Sequence, residues 1–310
     1  MRVAWVLIVL GAAAGTARAD VPHLADASGD LLDPRSMALG DSGIAYATGE
    51  ASIGLNPSGV AFNHELAIEV DYGYRLSDSA SIVNASACDS TNAVPGCFYY
   101  HYTGAAPDST GTESHSGLHV FGTTLSYPIT PNVAVGTGLK YYHFDTDDLN
   151  EAAVGNFAFD AGATVKLGSI ASIGGTGYNL VGPSVEMPRA IGGGISVRPI
   201  SLLMLSFDSR WLLYNGDRSA RYGGGASFMI SAPGGQLGVP LTVGVLRVDP
   251  STLGAIGSQP NPGVTYLTGG IGLSTMSFGL DVSARFSVDG PNDTEILASI
   301  RLWPVPRGSL

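Results

Sequence analysis

Apolar residues alternate with small or polar residues along most of this chain, segment after segment, from about residue 65 onward. In the segment 156–167, for example, one parity is apolar and the other carries Asp160 and Lys166. Because successive side chains of a β-strand point to opposite faces, each such segment predicts a strand with one apolar and one polar face. The predicted strands cover 65–75, 117–127, 132–144, 156–167, 171–180, 189–198, 202–213, 219–230, 238–248, 264–273, 276–286 and 294–302.

The charged residues of these strands fall on the polar face. The positions that we predict to line a lumen are Asp71, Lys140, Asp160, Lys166, Asp208, Arg210, Arg221, Asp281 and Arg285. A soluble β-sandwich would turn such a face to water, whereas a membrane barrel encloses it and leaves the apolar face to lipid. A charge on the lipid side costs about 2–4 kcal/mol near the bilayer midplane, so the segregation favours the barrel.

The connections between the predicted strands alternate in length. Long or polar connections lie at 76–116, 145–153, 181–188, 214–218, 249–263 and 287–293. Tight connections lie at 128–131, 168–170, 199–201 and 274–275, with 231–237 as the exception. Such sorting is typical of outer-membrane barrels. The sequence therefore predicts an all-β fold, an antiparallel transmembrane β-barrel of about 12–14 strands over 65–303, followed by a C-terminal tail at 304–310.

Aromatic residues near the ends of the predicted strands fit the interfacial girdles of such a barrel. They are Tyr72, Tyr74, Tyr127, Tyr141, Tyr142, Trp211, Tyr214 and Trp303.

The first residues indicate the compartment. Met1 and Arg2 precede a short apolar run, and Ala17-Arg18-Ala19 follows it, which is the pattern of a signal peptide over 1–19 cleaved after Ala19. No later segment holds the 18 or so apolar residues of a membrane-spanning helix. We therefore predict a protein of the Gram-negative outer membrane, in contact with outer-membrane lipid.

Cysteine content and charge narrow the possibilities further. The two cysteines, Cys88 and Cys97, lie close together in one polar stretch, and in an oxidising compartment they predict a local disulfide in a loop. A net charge of −11 makes nucleic acid an improbable partner, because phosphate binding needs clustered Lys and Arg.

No motif of catalysis is present. There is no Gly-x-Ser-x-Gly elbow, and the glycine runs lie inside strand patterns, where they relieve crowding or allow bending. Among the histidines only His115 and His119 have a ligand-like spacing, and they lie at a loop–strand junction. We therefore predict no enzyme, no catalytic residue, no metal site and no cofactor.

Residues 20–64 do not follow the strand pattern, and they carry the motif Asn56-Pro57-Ser58-Gly59 after a small-residue run at 36–45. This region resembles the N-terminal signature of FadL-type outer-membrane proteins and of their PorV/PorQ-like relatives, although Ser58 stands where Ala is usual. The resemblance implies an N-terminal lumen plug held in position by Asn56. Its motif residues are Gly40, Gly43, Asn56, Pro57 and Gly59. A disordered periplasmic leader is the alternative interpretation of 20–64.

The resemblance also implies a function and exposes two departures. A FadL-like channel takes up hydrophobic small molecules, and a plug forces them to leave sideways through the wall. The alternative is a PorV-like adaptor that binds envelope or secreted proteins. FadL-type barrels generally have fourteen strands, so either Ala80–Ala87 and Phe98–Thr103 pair as a hairpin within 76–116 or the chain is a reduced member.

The second departure is the Pro-containing tail after Trp303, where such barrels usually end in an aromatic residue.

An apolar path from the connection 76–116 is suggested by four aromatic residues, which could equally contact a partner protein. They are Phe98, Tyr99, Tyr100 and Tyr102.

Overall fold

The computed structural model describes residues 33–77, 79–105, 116–146, 154–183, 187–213, 219–232, 237–250, 263–289 and 293–305. The signal peptide, positions 20–32 of the predicted plug and the end of the C-terminal tail lie outside these residues. Within the described ranges, fourteen antiparallel strands form one closed barrel, in which each strand pairs with its sequence neighbours and β1 pairs with β14. The predicted all-β barrel is confirmed.

The strand bounds follow the predicted alternation closely. The strands are β1 Leu66–Arg75, β2 Ala80–Asp89, β3 Gly96–Ala105, β4 Ser116–Thr130, β5 Val133–Thr146, β6 Val154–Leu167, β7 Ala171–Tyr178, β8 Ala190–Ile200, β9 Leu203–Leu212, β10 Ala220–Ser231, β11 Gly238–Val248, β12 Val264–Ser274, β13 Phe278–Ser287 and β14 Thr294–Leu302. Ahead of them lie a short helix, α1 Pro34–Ala38, and two 3₁₀ helices, Gly49–Ser52 and Pro57–Phe62. Among the described residues, no helix is long and apolar enough to cross a membrane.

The alternation pattern predicts twelve strands and one long connection at 76–116. The structure has two further strands among the described residues of that connection. The hairpin β2–β3 fills much of that connection, and it corresponds to the pairing of Ala80–Ala87 with Phe98–Thr103. The outward positions of β2 hold Ser81, Val83, Ala85 and Ala87, so its apolar–polar contrast is weak. The aromatic residues Phe98, Tyr100 and Tyr102 consequently lie on a strand, with Phe98 74% exposed, and do not form a loop path.

The two faces of the wall have the inverse polarity of a soluble barrel. Large apolar side chains point outward and are exposed, as are Val70, Phe157 and Val243. Charged side chains point inward and are buried, as are Asp160 and Arg285. A continuous exposed apolar belt of this kind is compatible with lipid as the surrounding medium and not with water.

The prediction of outward-facing aromatic residues is correct for some of the predicted residues and wrong for two. Tyr72, Tyr127 and Trp211 are outward and exposed. Tyr142 and Trp303 are buried, because they have the inward parity, and Trp303 lies next to Gly279 and the Arg301 guanidinium. Tyr214 lies outside the described residues.

Cys88 and Cys97 form a disulfide, as predicted, but between paired strands and not in a loop. They stand directly opposite each other on β2 and β3, and both face inward. With Val60 and Ile53 of the N-terminal residues they form a small buried cluster.

Removing this disulfide should weaken the β2–β3 hairpin without opening the barrel. The bond closes a loop of residues nine apart in sequence, and native disulfides contribute about 2–4 kcal/mol, less for shorter loops. We expect the double variant Cys88→Ser/Cys97→Ser to migrate as a folded barrel on unheated gels and to unfold at a lower temperature than the parent. An unchanged unfolding temperature would contradict a stabilising role.

The two ends of the barrel differ in their connections. One end, here the short-turn end, has connections such as 131–132 and 201–202, and the chain enters β1 there. The opposite end, the long-loop end, carries connections such as 249–263. Strand β7 is the shortest, and its last pair with β6 is Ala161 with Gly177. Residues 154–160 of β6 therefore lie beyond the last pair of this strand with β7.

Candidate functional site

Residues 33–64, which we call the N-terminal segment, lie against the inward faces of strands on several sides of the barrel. Helix α1 begins after Asp33, whose carboxylate accepts the Arg35 amide at 2.8 Å, and Pro34 occupies its first turn. Met37 packs with Ile82 of β2 and Leu297 of β14. The short helices therefore lie inside the barrel, against the inner face of its wall.

Asn56 connects three parts of this arrangement. Its side-chain oxygen caps the 3₁₀ helix Pro57–Phe62 by accepting the Ser58 amide at 3.1 Å. Its amide group donates to the Ile44 carbonyl at 2.8 Å, to the Ala163 carbonyl at 3.1 Å and to the Thr164 hydroxyl at 3.0 Å. One buried side chain thus joins both halves of the N-terminal segment to β6.

Asp208 on β9 binds the N-terminal segment at Gly43 and Ile44. Its Oδ2 accepts the backbone N–H groups of Gly43 at 2.6 Å and Ile44 at 2.7 Å. Two amides on one buried carboxylate form a charge-assisted pair of hydrogen bonds. Sequence reasoning placed Asp208 on the inward face but had no means of finding these donors, which lie more than 160 positions away in the chain.

The glycines of the predicted motif lie where the chain has no room for a side chain. Gly40 has φ +72°, and a Cβ there would clash with the Val245 carbonyl of β11. A Cβ on Gly59 would meet the Ala47 backbone and come within 2.7 Å of the Ser52 Cβ. Gly43 lies against Leu55. Close approach therefore accounts for these three glycines.

The barrel wall contributes a matching set of glycines. A Cβ added to any of them would approach an atom of the N-terminal segment more closely than 3.0 Å. These inward-facing positions are Gly136, Gly162, Gly174, Gly192, Gly223, Gly244 and Gly270. Relief of crowding or strand bending was predicted for the glycine runs. At these seven positions, one on each of seven strands, the crowding comes from the N-terminal segment.

All nine predicted lumen-lining residues have the inward parity, and most are bonded in ion pairs. Lys140 and Asp160 form a buried pair at 2.7 Å. Arg285 and Arg221 contact Asp41 of the N-terminal segment at 3.3 and 3.9 Å. The remaining contacts are Asp281 with Arg301 at 2.6 Å, Asp71 with Asn84 at 3.1 Å, Arg210 over the Tyr178 ring at 4.2 Å and Lys166 over the Phe62 ring at 4.0 Å.

The buried carboxyl group of Asp33 has a lowered pKa. Burial by itself raises the pKa of Asp33, but the Arg35 guanidinium and the Ser36 hydroxyl outweigh it, so that this pKa lies below its usual value. The stabilisation from this group is present above the usual carboxyl pKa and is lost as the pH falls through the lowered value.

Breaking the Lys140–Asp160 pair should be strongly destabilising. Both side chains are nearly inaccessible, and removing one partner of a buried pair typically costs about 3–5 kcal/mol because it strands a charge. We expect Lys140→Met to lower the thermal unfolding midpoint sharply, and Lys140→Met/Asp160→Asn to recover much of the loss. Equal midpoints for the single variant and the parent would contradict the pairing.

Apolar side chains occupy inward positions toward the long-loop end, which sequence reasoning missed. They form three buried clusters: Leu118, Val120, Tyr142, Phe144, Ala158 and Met187; Tyr178, Ala190 and Leu212; and Leu246, Val264 and Tyr266. The sequence did indicate their orientation, because Leu118 and Val120 alternate in phase with Thr124 and Ser126 on the inward face of β4. The long-loop part of the lumen is therefore apolar around part of its circumference, while on β1, β13 and β14 it holds the ion pairs of Glu295 with Arg75 and Arg285.

Metal-ligating side chains are dispersed. In the part of the chain that the structure describes, no three His, Cys, Asp or Glu side chains are placed to hold a metal ion. His119 faces outward and is hydrogen bonded to the Tyr100 hydroxyl at 2.9 Å, and His115 lies outside the described residues.

Comparison with known proteins identifies the class of fold. No family model matches the chain, and no curated protein matches it. The toluene transporter TodX of Pseudomonas putida is similar in structure, with TM-score 0.67 at 10% identity, covering 89% of this chain and 99% of its own. The CymD monoaromatic hydrocarbon channel has TM-score 0.65 at 12% identity, covering 87% and 96%.

A FadL homologue from Pseudomonas aeruginosa is similar as well, with TM-score 0.62 at 10% identity, covering 87% of this chain and 97% of its own. The chain therefore has the fold of the FadL-type outer-membrane barrels. The resemblance seen in the run around Asn56 is confirmed at the level of the fold, and its PorV/PorQ-like part stays a prediction.

Proposed function

We propose that this protein is an outer-membrane channel that takes up hydrophobic small molecules. The observation that carries the proposal is the set of apolar clusters on the inward face, between the N-terminal segment and the long-loop end. A water-filled pore has no need of an inward apolar surface, whereas an apolar ligand binds to one. The similar fold of TodX and CymD, which are described as a toluene transporter and a hydrocarbon channel, supports the same function.

In this proposal the N-terminal segment is the plug. Its contacts reach β4, β6, β12 and β13, through pairs such as Ser126 with the Ser58 carbonyl and Thr268 with the Ala38 carbonyl. An apolar molecule in the clusters then has no straight path to the short-turn end. The most favourable lateral exit is the long-loop end of β6, because residues 154–160 lie beyond the last pair of that strand with β7 and beside the largest apolar cluster.

Filling the largest apolar cluster should block uptake. Ala158 faces inward and is 1% exposed among its members, while Ala163 on the same strand faces outward and is exposed. We expect cells that produce the protein to admit N-phenyl-1-naphthylamine, a hydrophobic fluorophore, faster than cells without it. Ala158→Trp should abolish the gain, and the matched control Ala163→Trp should retain it, with both variants checked as heat-modifiable folded barrels.

Uptake that does not depend on the folded protein would overturn the channel proposal. The adaptor function would then become the better interpretation, and native mass spectrometry of the gently extracted protein would test it. A stable assembly with other polypeptides supports an adaptor. A single chain with retained lipid-like adducts supports the channel.

A further inference from the structure

A small cavity lies between the N-terminal segment and the inward faces of β1, β2 and β3. Its volume is about 30 Å³, which is room for one water molecule or one small ion. The polar residues that line it include Asp33, Glu50, Glu69, Asp71, Asn84 and His101. Four of the six are acidic, and within the described residues no lysine or arginine lines the cavity.

The acidic groups around the cavity outnumber their cationic partners. Arg35 and Arg301 bind the carboxylates without lining the cavity themselves. Their contacts are Arg35 with Asp33 at 2.8 Å, with Glu50 at 3.3 Å and with Glu69 at 3.0 Å, and Arg301 with Glu50 at 2.8 Å and with Asp281 at 2.6 Å. Together with Asp71, five carboxylates lie near two guanidiniums, and the excess of acidic groups requires protons, the His101 imidazole of the lining or a bound cation to balance it.

Two carboxylate oxygens of this cavity have no hydrogen-bond partner. They are Oδ1 of Asp71 on β1 and Oε2 of Glu50 on the N-terminal segment. Both residues are more than nine-tenths buried, and both line the cavity. The other oxygen of Asp71 accepts the Asn84 amide at 3.1 Å. A buried carboxylate oxygen without a donor is costly, and a cation is the partner that removes the cost and the charge excess together.

We propose that this cavity binds one small monovalent cation, Na⁺ or K⁺, which joins Glu50 of the N-terminal segment to Asp71 of β1. The described residues bring no three acidic or histidine side chains close enough to hold a divalent ion, so the charge density that calcium requires is not present. A monovalent cation would complete its oxygen ligands from Asp33, Glu69 and Ser86 of the same lining. The bound cation secures the N-terminal segment to the wall. The site is independent of what the barrel transports, so failure of the uptake experiment leaves it intact.

Thermal unfolding of the purified full chain in detergent tests the site. The midpoint is measured in NaCl, in KCl and in N-methyl-D-glucamine chloride at equal ionic strength, since the organic cation is too large for the cavity. A ligand that binds only the folded state raises the midpoint with saturation. We expect a saturable rise of several degrees in NaCl or KCl, and its loss in Asp71→Asn. Glu65→Gln, a buried carboxylate at the start of β1 outside the lining, is the matched control and should keep the rise.

Three results would overturn the proposal. Equal midpoints in all three salts, with a midpoint that changes only with pH, would mean that protons neutralise the cavity. A rise retained by Asp71→Asn would place the cation elsewhere. A rise lost equally in Glu65→Gln would indicate a general salt effect. If Asp71→Asn does not fold, Glu50→Gln replaces it, and the salt comparison on the parent protein decides by itself.

Discussion

Replacing Gly174 by valine should displace the N-terminal segment and open the barrel to ions. A Cβ at Gly174 would approach the Ile44 carbonyl too closely and lie 2.9 Å from the Ala45 Cα, so the segment has to move. Overpacking costs about 1–3 kcal/mol, which shifts the balance between seated and displaced states about 5- to 150-fold. We expect a matching rise in the open fraction of single channels in planar bilayers.

The next residue on the same strand provides the control. Gly175 faces outward, and a Cβ there meets nothing closer than 3.8 Å. Gly175→Val places an apolar side chain toward lipid and should conduct as the parent does. If Gly174→Val also conducts as the parent does while remaining folded, the N-terminal segment does not close the lumen, and its assignment as a plug is wrong.

Asn56→Ala should release the N-terminal segment from β6 while the barrel stays closed. The substitution leaves the Ile44 carbonyl, the Thr164 hydroxyl and the Ser58 amide without their bonds to Asn56. An orphaned buried group costs about 1–3 kcal/mol, so a total of roughly 3–5 kcal/mol is expected after relaxation. In the seated segment Arg35 is bonded to Asp33, Glu50 and Glu69. We therefore expect trypsin to cleave after Arg35 faster in Asn56→Ala than in the parent, and the rate of this cleavage is the measurement.

Asn132→Ala is the matched control, since Asn132 lies exposed in the turn between β4 and β5. We expect its cleavage after Arg35 to equal that of the parent. Slow cleavage in both variants would show that Asn56 does not hold the segment, whatever its hydrogen bonds. Loss of heat-modifiable migration in Asn56→Ala would instead mean that the barrel itself depends on this residue.

Alternation predicted the strands well because the medium on each side of the wall imposes one polarity. Ten of the twelve predicted segments begin within one residue of the observed strand, and 156–167 and 276–286 begin two residues away from it. The segments 238–248 and 294–302 match their observed bounds. The alternation is lost where that contrast is weak. The outward face of Ala80–Asp89 is built of small residues, so the hairpin β2–β3 carried too little signal.

The candidate site was only partly predictable, for a related reason. Asn56 and its glycines form a local motif, and a local motif is visible in the sequence. Asp208 and Gly174 act on the same segment from positions distant in the chain, and their roles appear only once the barrel brings them together. The inward apolar clusters were missed because the inward face was expected to be polar throughout. Apolar side chains such as Leu118 and Val120 can also face inward, because they pack against one another and so avoid water.

The line along which β1 meets β14 has a consequence for how the molecule is assembled. Glu69 stands directly opposite Arg301 across this line, and Arg75 stands opposite Glu295. Glu50 of the N-terminal segment also contacts Arg301. The first and last strands of the barrel therefore find their register through opposite charges, and one of those charges is shared with a segment that precedes every strand. These contacts exist only when β1 and β14 have met, so closure of the barrel and docking of its own N-terminal segment depend on the same arginine.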